Sequence, residues 1–216
     1  MKLVSVNVGL PREVIWHNET VSTGIFKQPV AGRVALTTLN LERDRQADLT
    51  VHGGPNKAVY GYPSEHYALW KRELPERDFP IAVFGENFTA QGMTESSVHI
   101  GDRFAIGSAE FIVTQPRMPC YKLGIRFGSD DMVKLFLLSG RTGFYFAVTR
   151  VGEVGAGDTI ELIAADPLAV PISEITRLYI AKKYSAADVD SVRRALQVPA
   201  LPESWKQYFR SRLEQM

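Results

Sequence analysis

Glu110-Phe111-Ile112-Val113-Thr114, running into Gln115-Pro116-Arg117-Met118-Pro119-Cys120-Tyr121-Lys122-Leu123, is a short apolar run that stops at two prolines. The run reads as a strand. Proline lacks an N–H and pushes the residue before it away from helix, so the chain leaves that strand along a restricted, extended path. Cys120 therefore falls on a rigid loop at a strand end. Similar runs recur outward from this one: Arg33 to Leu39, Lys57 to Tyr62, Arg103 to Ile106, Phe144 to Val151 and Thr159 to Ile163. Met1 to Gly9 alternates apolar and polar residues, another strand pattern. Many short strands punctuated by Gly and Pro predict a mainly β sandwich or barrel over residues 1–165. Gly101-Asp102 and Gly157-Asp158 each read as a tight turn feeding a strand.

Two helices are expected to interrupt the strands. Ser64 to Leu74 ends before Pro75, and Asp130 to Ser139 has Ser129 as its expected N-cap and Gly140 at its end. After the stiff linker Asp166-Pro167-Leu168-Ala169-Val170-Pro171, three helical patterns fill residues 172–216. They are Ser173 to Tyr184, Ala186 to Gln197 with a Ser185/Asp188 capping box, and a stretch from Pro202 carrying Trp205, Phe209 and Leu213. So short a unit buries too little to stand alone. It is expected to dock on the β domain or on a second subunit, which leaves a homodimer open.

The chain has 216 residues, a net charge of +1 and one cysteine. One thiol excludes an intrachain disulfide, a Cys-rich zinc site and an iron–sulfur cluster. The balanced charge argues against electrostatic coating of nucleic acid. The C-terminal unit, with eight basic and five acidic residues, carries +3. That excess is too slight to favour a helix-turn-helix over a docking bundle. No signal peptide or membrane span is read, so a cytoplasmic protein is expected.

Three segments carry candidate chemistry. Arg117 and Lys122 flank Cys120, and nearby cations favour the thiolate, the form that attacks electrophiles and binds metals. His52-Gly53-Gly54-Pro55-Asn56-Lys57 joins paired glycines, whose N–H groups can converge on an anion, to a cation. Gly85-Glu86-Asn87-Phe88 offers donors and acceptors suited to a heterocycle. The four histidines show no zinc spacing, and no nucleophile elbow or dinucleotide fingerprint is present. A hydrolase pair of Cys120 with His52 or His99 stays open.

Taken together these segments resemble the MOSC family, named for the C-terminal domain of molybdenum cofactor sulfurases, and most closely its stand-alone bacterial YiiM-like branch. The resemblance rests on Asp48-Leu49-Thr50-Val51-His52-Gly53-Gly54-Pro55-Asn56-Lys57-Ala58-Val59-Tyr60 and on Tyr62-Pro63-Ser64-Glu65-His66-Tyr67 with Trp70. Gly85-Glu86-Asn87-Phe88, Gly101-Asp102 and the Gln115 to Leu123 segment continue it, as do the C-terminal helices. Two positions depart from the family pattern: Arg43-Asp44 stands where Gly-Asp is expected, and Phe88 replaces a leucine.

The resemblance implies a MOSC-type β-barrel with a three-helix extension that binds the molybdenum cofactor, with Cys120 as the metal's protein ligand. It implies reduction of N-hydroxylated compounds, notably hydroxylaminopurine-type base analogues, to amines. His52, Gly53, Gly54, Lys57, Asn87, Arg117 and Lys122 are the expected cofactor-binding residues. Cys120, Glu86 and His52 are the expected catalytic ones, with Lys122 a further proton-relay candidate. The chain has no thiols left for electron relay, so an external reductase is expected as partner, with no membrane or nucleic acid. Two competing readings are a cofactor or sulfur carrier using a Cys120 persulfide, and a nucleic-acid-binding module built on the C-terminal helices.

Overall fold

Alternation of buried and exposed residues along Lys2–Val8 makes that segment, β1, a strand with Leu3 and Val6 turned inward. The computed structural model describes residues 1–48 and 53–216. Eleven further strands follow: β2 (Arg12–Trp16), β3 (Glu19–Thr23), β4 (Gln28–Pro29), β5 (Arg33–Ala35), β6 (Val59–Pro63), β7 (Phe88–Gln91), β8 (Arg103–Ile106), β9 (Ala109–Pro116), β10 (Phe144–Arg150), β11 (Glu153–Gly155) and β12 (Ile160–Ala164). The helices are α1 (Glu65–Glu73), α2 (Tyr121–Phe127), α3 (Asp131–Leu138), α4 (Ile172–Ile180), α5 (Ala186–Gln197) and α6 (Glu203–Glu214).

Eight strands form one sheet in the order β12-β8-β9-β10-β6-β7-β1-β4. Its β6–β7 pair is parallel, and α1 supplies the crossover that such a pair requires. β5 with β11, and β2 with β3, make two separate ribbons. The expected barrel is corrected in one respect: the ladder does not close. Its two ends are clasped instead, because Leu3 N–H donates to the Asp158 carbonyl at 2.9 Å and Ile160 N–H to the Met1 carbonyl at 3.0 Å. Both Gly-Asp turns form. Gly101 and Gly157 have φ of 93° and 96°, and each aspartate accepts from the N–H three residues before it, His99 and Gly155, at 2.9 Å.

Phe88, Phe104, Phe111, Phe144 and Phe146 form the aromatic centre of the core. Ile172, Ile175 and Leu178 of α4, Val192 and Ala195 of α5, and Trp205 and Phe209 of α6 belong to the same cluster. Each such side chain contributes about 1.5–3 kcal/mol when fully buried. The three-helix unit thus docks on the sheet of its own chain. The capping box of α5 is present: Ser185 Oγ accepts from Asp188 N–H at 3.2 Å, and the Asp188 carboxylate accepts from Ser185 N–H at 2.8 Å. Ser129 is not the cap of α3. Asp130 takes that position without a side-chain cap bond, its carboxylate being engaged by His17 at 2.9 Å.

Arg43 is exposed and has φ 64°, in the left-handed region where a side chain is unfavourable. The turn that a Gly-Asp pair would make has kept its backbone with an arginine in place. Arg43→Gly relieves roughly 1–2 kcal/mol of that cost and gives back about half through the freer unfolded chain. The expected result is a net gain of about 0.5–1 kcal/mol in urea unfolding, and a loss of stability would show that the arginine side chain itself holds the turn.

Candidate functional site

At the end of β9 the two prolines carry the chain off the sheet, and Arg117 N–H donates to the Gly143 carbonyl at 3.1 Å to hold the departing segment against β10. Cys120 then ends this extended path as the N-cap of α2, with φ −125° and ψ 173°. The expected loop at Cys120 is therefore one residue from a helix. Gly124, a poor helix former, obscured α2 in the sequence, but it gives the room that Ser129 and Asp130 occupy. Gly128, at φ 63°, closes the helix.

A pocket of about 100 Å3, open to solvent, lies over this segment. Its described lining includes Lys27, Arg45, Lys57, Arg117 and Lys122 together with Cys120, Gly53 and Asn87, and no aspartate or glutamate. Tyr60, Phe84 and Tyr145 supply aromatic walls. Lys27 is paired with buried Asp44, and the other four cations, with no carboxylate among the described lining residues, make the pocket a receptor for anionic groups.

Arg117 is the most constrained of them. Its guanidinium lies 5.4 Å from the Tyr60 ring centre and 5.3 Å from that of Phe136, and its buried Nη1 has no hydrogen-bond partner among the described residues. Burial pulls its pKa down, but Tyr60, Tyr145 and Cys120 push it up further, and the balance is upward. Lys57 is half-buried and desolvation lowers its pKa. Gly53 and Gly54, at φ 92° and 83°, shape the turn that delivers it. Gly54 itself is not on the pocket wall. It heads the short 3-10 turn Pro55–Lys57, which Thr114 Oγ tethers by donating to the Asn56 carbonyl at 2.7 Å. Lys122 is buried in the first turn of α2.

Asn87 reaches the pocket, yet its amide is engaged by protein. Oδ1 accepts from Tyr60 N–H at 3.1 Å, and Nδ2 donates to Asp44 at 2.9 Å and to the Asn7 carbonyl at 3.2 Å. It is a strut between β1, β6 and the Asp44 turn. Beside it, buried Lys27 forms an ion pair with buried Asp44. Desolvation lowers the Lys27 pKa and Asp44 opposes the shift.

Glu86 is not on the wall. It is fully buried, and its Oε1 accepts from Tyr67 Oη, from Thr89 Oγ at 3.0 Å and from Ala82 N–H at 3.1 Å. Burial raises its pKa above the ordinary 4.5 despite these donors. Below 4.5 both folded and unfolded chains hold this proton. Above it the unfolded chain releases the proton first, so native stability falls with rising pH through the folded-state pKa. Glu86→Gln, a mimic of the protonated acid, should flatten that fall in denaturation measured from pH 4 upward, and an unchanged slope would mean that Glu86 is ionised in its pocket.

His52 lies outside the described residues. His99 does not pair with Cys120: its Nδ1 is 3.1 Å from Asp102, and it lies off the pocket lining. No group of three or more His, Cys, Asp or Glu suited to a metal ion occurs among the described residues. The reading of the sequence missed Lys27, Arg45, Tyr60 and Tyr145 as pocket residues. For Lys27 nothing local signals the role, because its ion-pair partner is 17 residues away.

Comparison with known proteins agrees with this architecture. Residues 48–161 match the MOSC domain, and residues 170–215 match the YiiM-like 3-alpha helix domain. The chain is 38% identical to the uncharacterized protein YflK of Bacillus subtilis (strain 168), over 99% of this chain and 95% of that one. It is also 38% identical to protein YiiM of Escherichia coli (strain K12), over 91% and 87%. A Gibberella moniliformis protein named "Reductase" is 34% identical, over 66% of this chain and 26% of its own length. The crystal structure of YiiM from Geobacillus stearothermophilus superposes with a TM-score of 0.82 at 32% identity, covering 98% of each chain. The chain belongs to the MOSC domain family, with the YiiM-like 3-alpha helix domain at its C-terminal side.

Proposed function

We propose that the pocket holds the molybdenum cofactor and that the protein reduces N-hydroxylated compounds, hydroxylaminopurine-type base analogues among them, to amines. MOSC membership ties the chain to molybdenum-cofactor chemistry, and a relative named reductase supports a reductive role. The observation that carries the reading is the convergence of Arg45, Lys57, Arg117 and Lys122 on the wall that also holds Cys120, with no carboxylate among the described lining residues.

The donor set fits the cofactor. A phosphate-bearing group would satisfy the buried, unpartnered Nη1 of Arg117, and a thiolate suits a metal that already carries dithiolene sulfurs. Cys120 would be the protein's sulfur ligand, and Lys57, Arg117, Lys122 and the N–H groups at Gly53 would hold the anionic parts. When bound, the cofactor supplies the two-electron redox chemistry. The chain's own residues do the rest. Tyr60, Phe84 and Tyr145 offer flat apolar faces to a heterocyclic substrate and exclude water. Of the three relay candidates, Lys122 is the one the described residues place on the wall, where its Nζ can pass a proton to a leaving oxygen. Glu86 lies behind the pocket, where its Oε1 accepts from Tyr67 and Thr89.

No helix among the described residues is long and apolar enough to cross a membrane. The reading is of a cytoplasmic enzyme whose electrons come from an external reductase, because a single cysteine builds no cluster. Protein purified with the cofactor available should contain molybdenum and reduce hydroxylaminopurine when given a reductant. Protein that holds no molybdenum under these conditions would overturn the reading. A charge-assisted bond contributes about 1.5–3 kcal/mol. Lys57→Ala and Arg117→Ala should therefore each weaken cofactor retention roughly 10- to 100-fold, and unchanged retention would place the anionic groups elsewhere.

A further inference from the structure

The three-helix unit contributes no residue to the pocket lining among the described residues, yet one of its side chains reaches the strand that ends there. Trp205 Nε1–H donates to Gln115 Oε1 at 2.7 Å, with both side chains buried. The indole is fixed by ring contacts to Tyr179 of α4 at 5.4 Å and to Phe209 at 5.8 Å. Gln115 has nothing else of its kind: its Nε2 is buried without a partner among the described residues. An apolar residue would spare the fold that unpaired donor, so the amide is retained for the bond that its oxygen accepts.

Gln115 is two residues before Arg117 and five before Cys120, and Pro116 and Pro119 between them restrict φ. A shift at Gln115 is therefore passed along the segment, not absorbed. Met118 is held from the same side. It lines the pocket and also packs against the core to which Trp205 and Phe209 belong.

We propose that the three-helix unit is a positioning element of the pocket, in which Trp205, acting through Gln115, sets the placement of Arg117 and Cys120. This rests on Cys120 facing the pocket and not on the redox reading, so its test needs no molybdenum. Cys120 is the chain's single cysteine, and alkylation by iodoacetamide in the intact protein reports on that thiol alone. Trp205→Phe keeps an aromatic ring and loses the donor. It should change the alkylation rate at least about twofold and alter its pH profile, and Gln115→Leu should do the same. The double variant should match either single one, because both remove one bond. Val192→Ala, a cavity in the same core but away from the bond, should lower the thermal midpoint and leave the Cys120 profile as in the native protein. A native profile in Trp205→Phe, or an equal change in Val192→Ala, would overturn the proposal.

Discussion

Cys120→Ala is expected to remove bound molybdenum and hydroxylaminopurine reduction together while leaving the fold intact. Losing a group that only steadies a metal ligand already costs about 10- to 100-fold in affinity or activity. Losing the ligand itself should cost more. The fold should survive because Cys120 is partly exposed, and alanine removes one atom without opening the core. The measurement is elemental analysis and turnover on native and variant protein, with circular dichroism as the control. Retention of both metal and activity would dismiss Cys120 as ligand. A persulfide found on the native thiol, with no reduction by the native protein under any donor, would favour the carrier reading instead.

Asp44→Ala should have the largest effect on stability. Lys27 and Asp44 are 6% and 2% exposed, so the ammonium has no ready access to water when its partner is gone. Breaking one side of a buried pair costs about 3–5 kcal/mol. Here Gly9 N–H and Asn87 Nδ2 lose their acceptor as well. At about 2–4 °C per kcal/mol, the thermal midpoint should fall by roughly 10 °C. With Asp44 absent, desolvation of Lys27 loses its main opponent, leaving only Glu86 to oppose it, and its pKa drops further. The folded variant then sheds that proton while the unfolded chain keeps it up to 10.5, so the deficit should shrink as pH rises toward that value. A midpoint within a degree or two of native at neutral pH would mean that the ammonium reaches solvent.

What could be read from the sequence was whatever local pattern encodes. Proline fixed the exit from β9, the Ser185/Asp188 spacing announced the cap of α5, and the Gly-Asp pairs announced two turns. The thiol, its flanking cations and the Gly53 turn do meet in one pocket. Two of the failures have a common cause, because each depends on partners far along the chain. Lys27 looks like any surface lysine until Asp44 is beside it. Asn87 looks like a ligand until Tyr60, Asn7 and Asp44 claim its amide. The hairpin of β2 and β3 was passed over although His17 and Asn18, at φ 48° and 65°, form the kind of two-residue turn that joins paired strands.

The clasp between the first strand and residues 157–160 also bears on how the chain is made. β1 is flanked in the finished sheet by β4, close by in sequence, and by β7, more than 80 residues downstream, and its first residues also bond to the approach to β12. At about 5–20 residues per second, a ribosome needs roughly 10–30 s before that approach has emerged. Throughout that interval Leu3, Val6 and Val8, all destined for the core, have no completed sheet to enter. Assembly is dominated by distant pairings, the class of topology that folds slowly and leaves strand edges open to other chains. Until the clasp forms, one end of the nascent sheet stays open to other chains, and the helices that complete the core leave the ribosome after it.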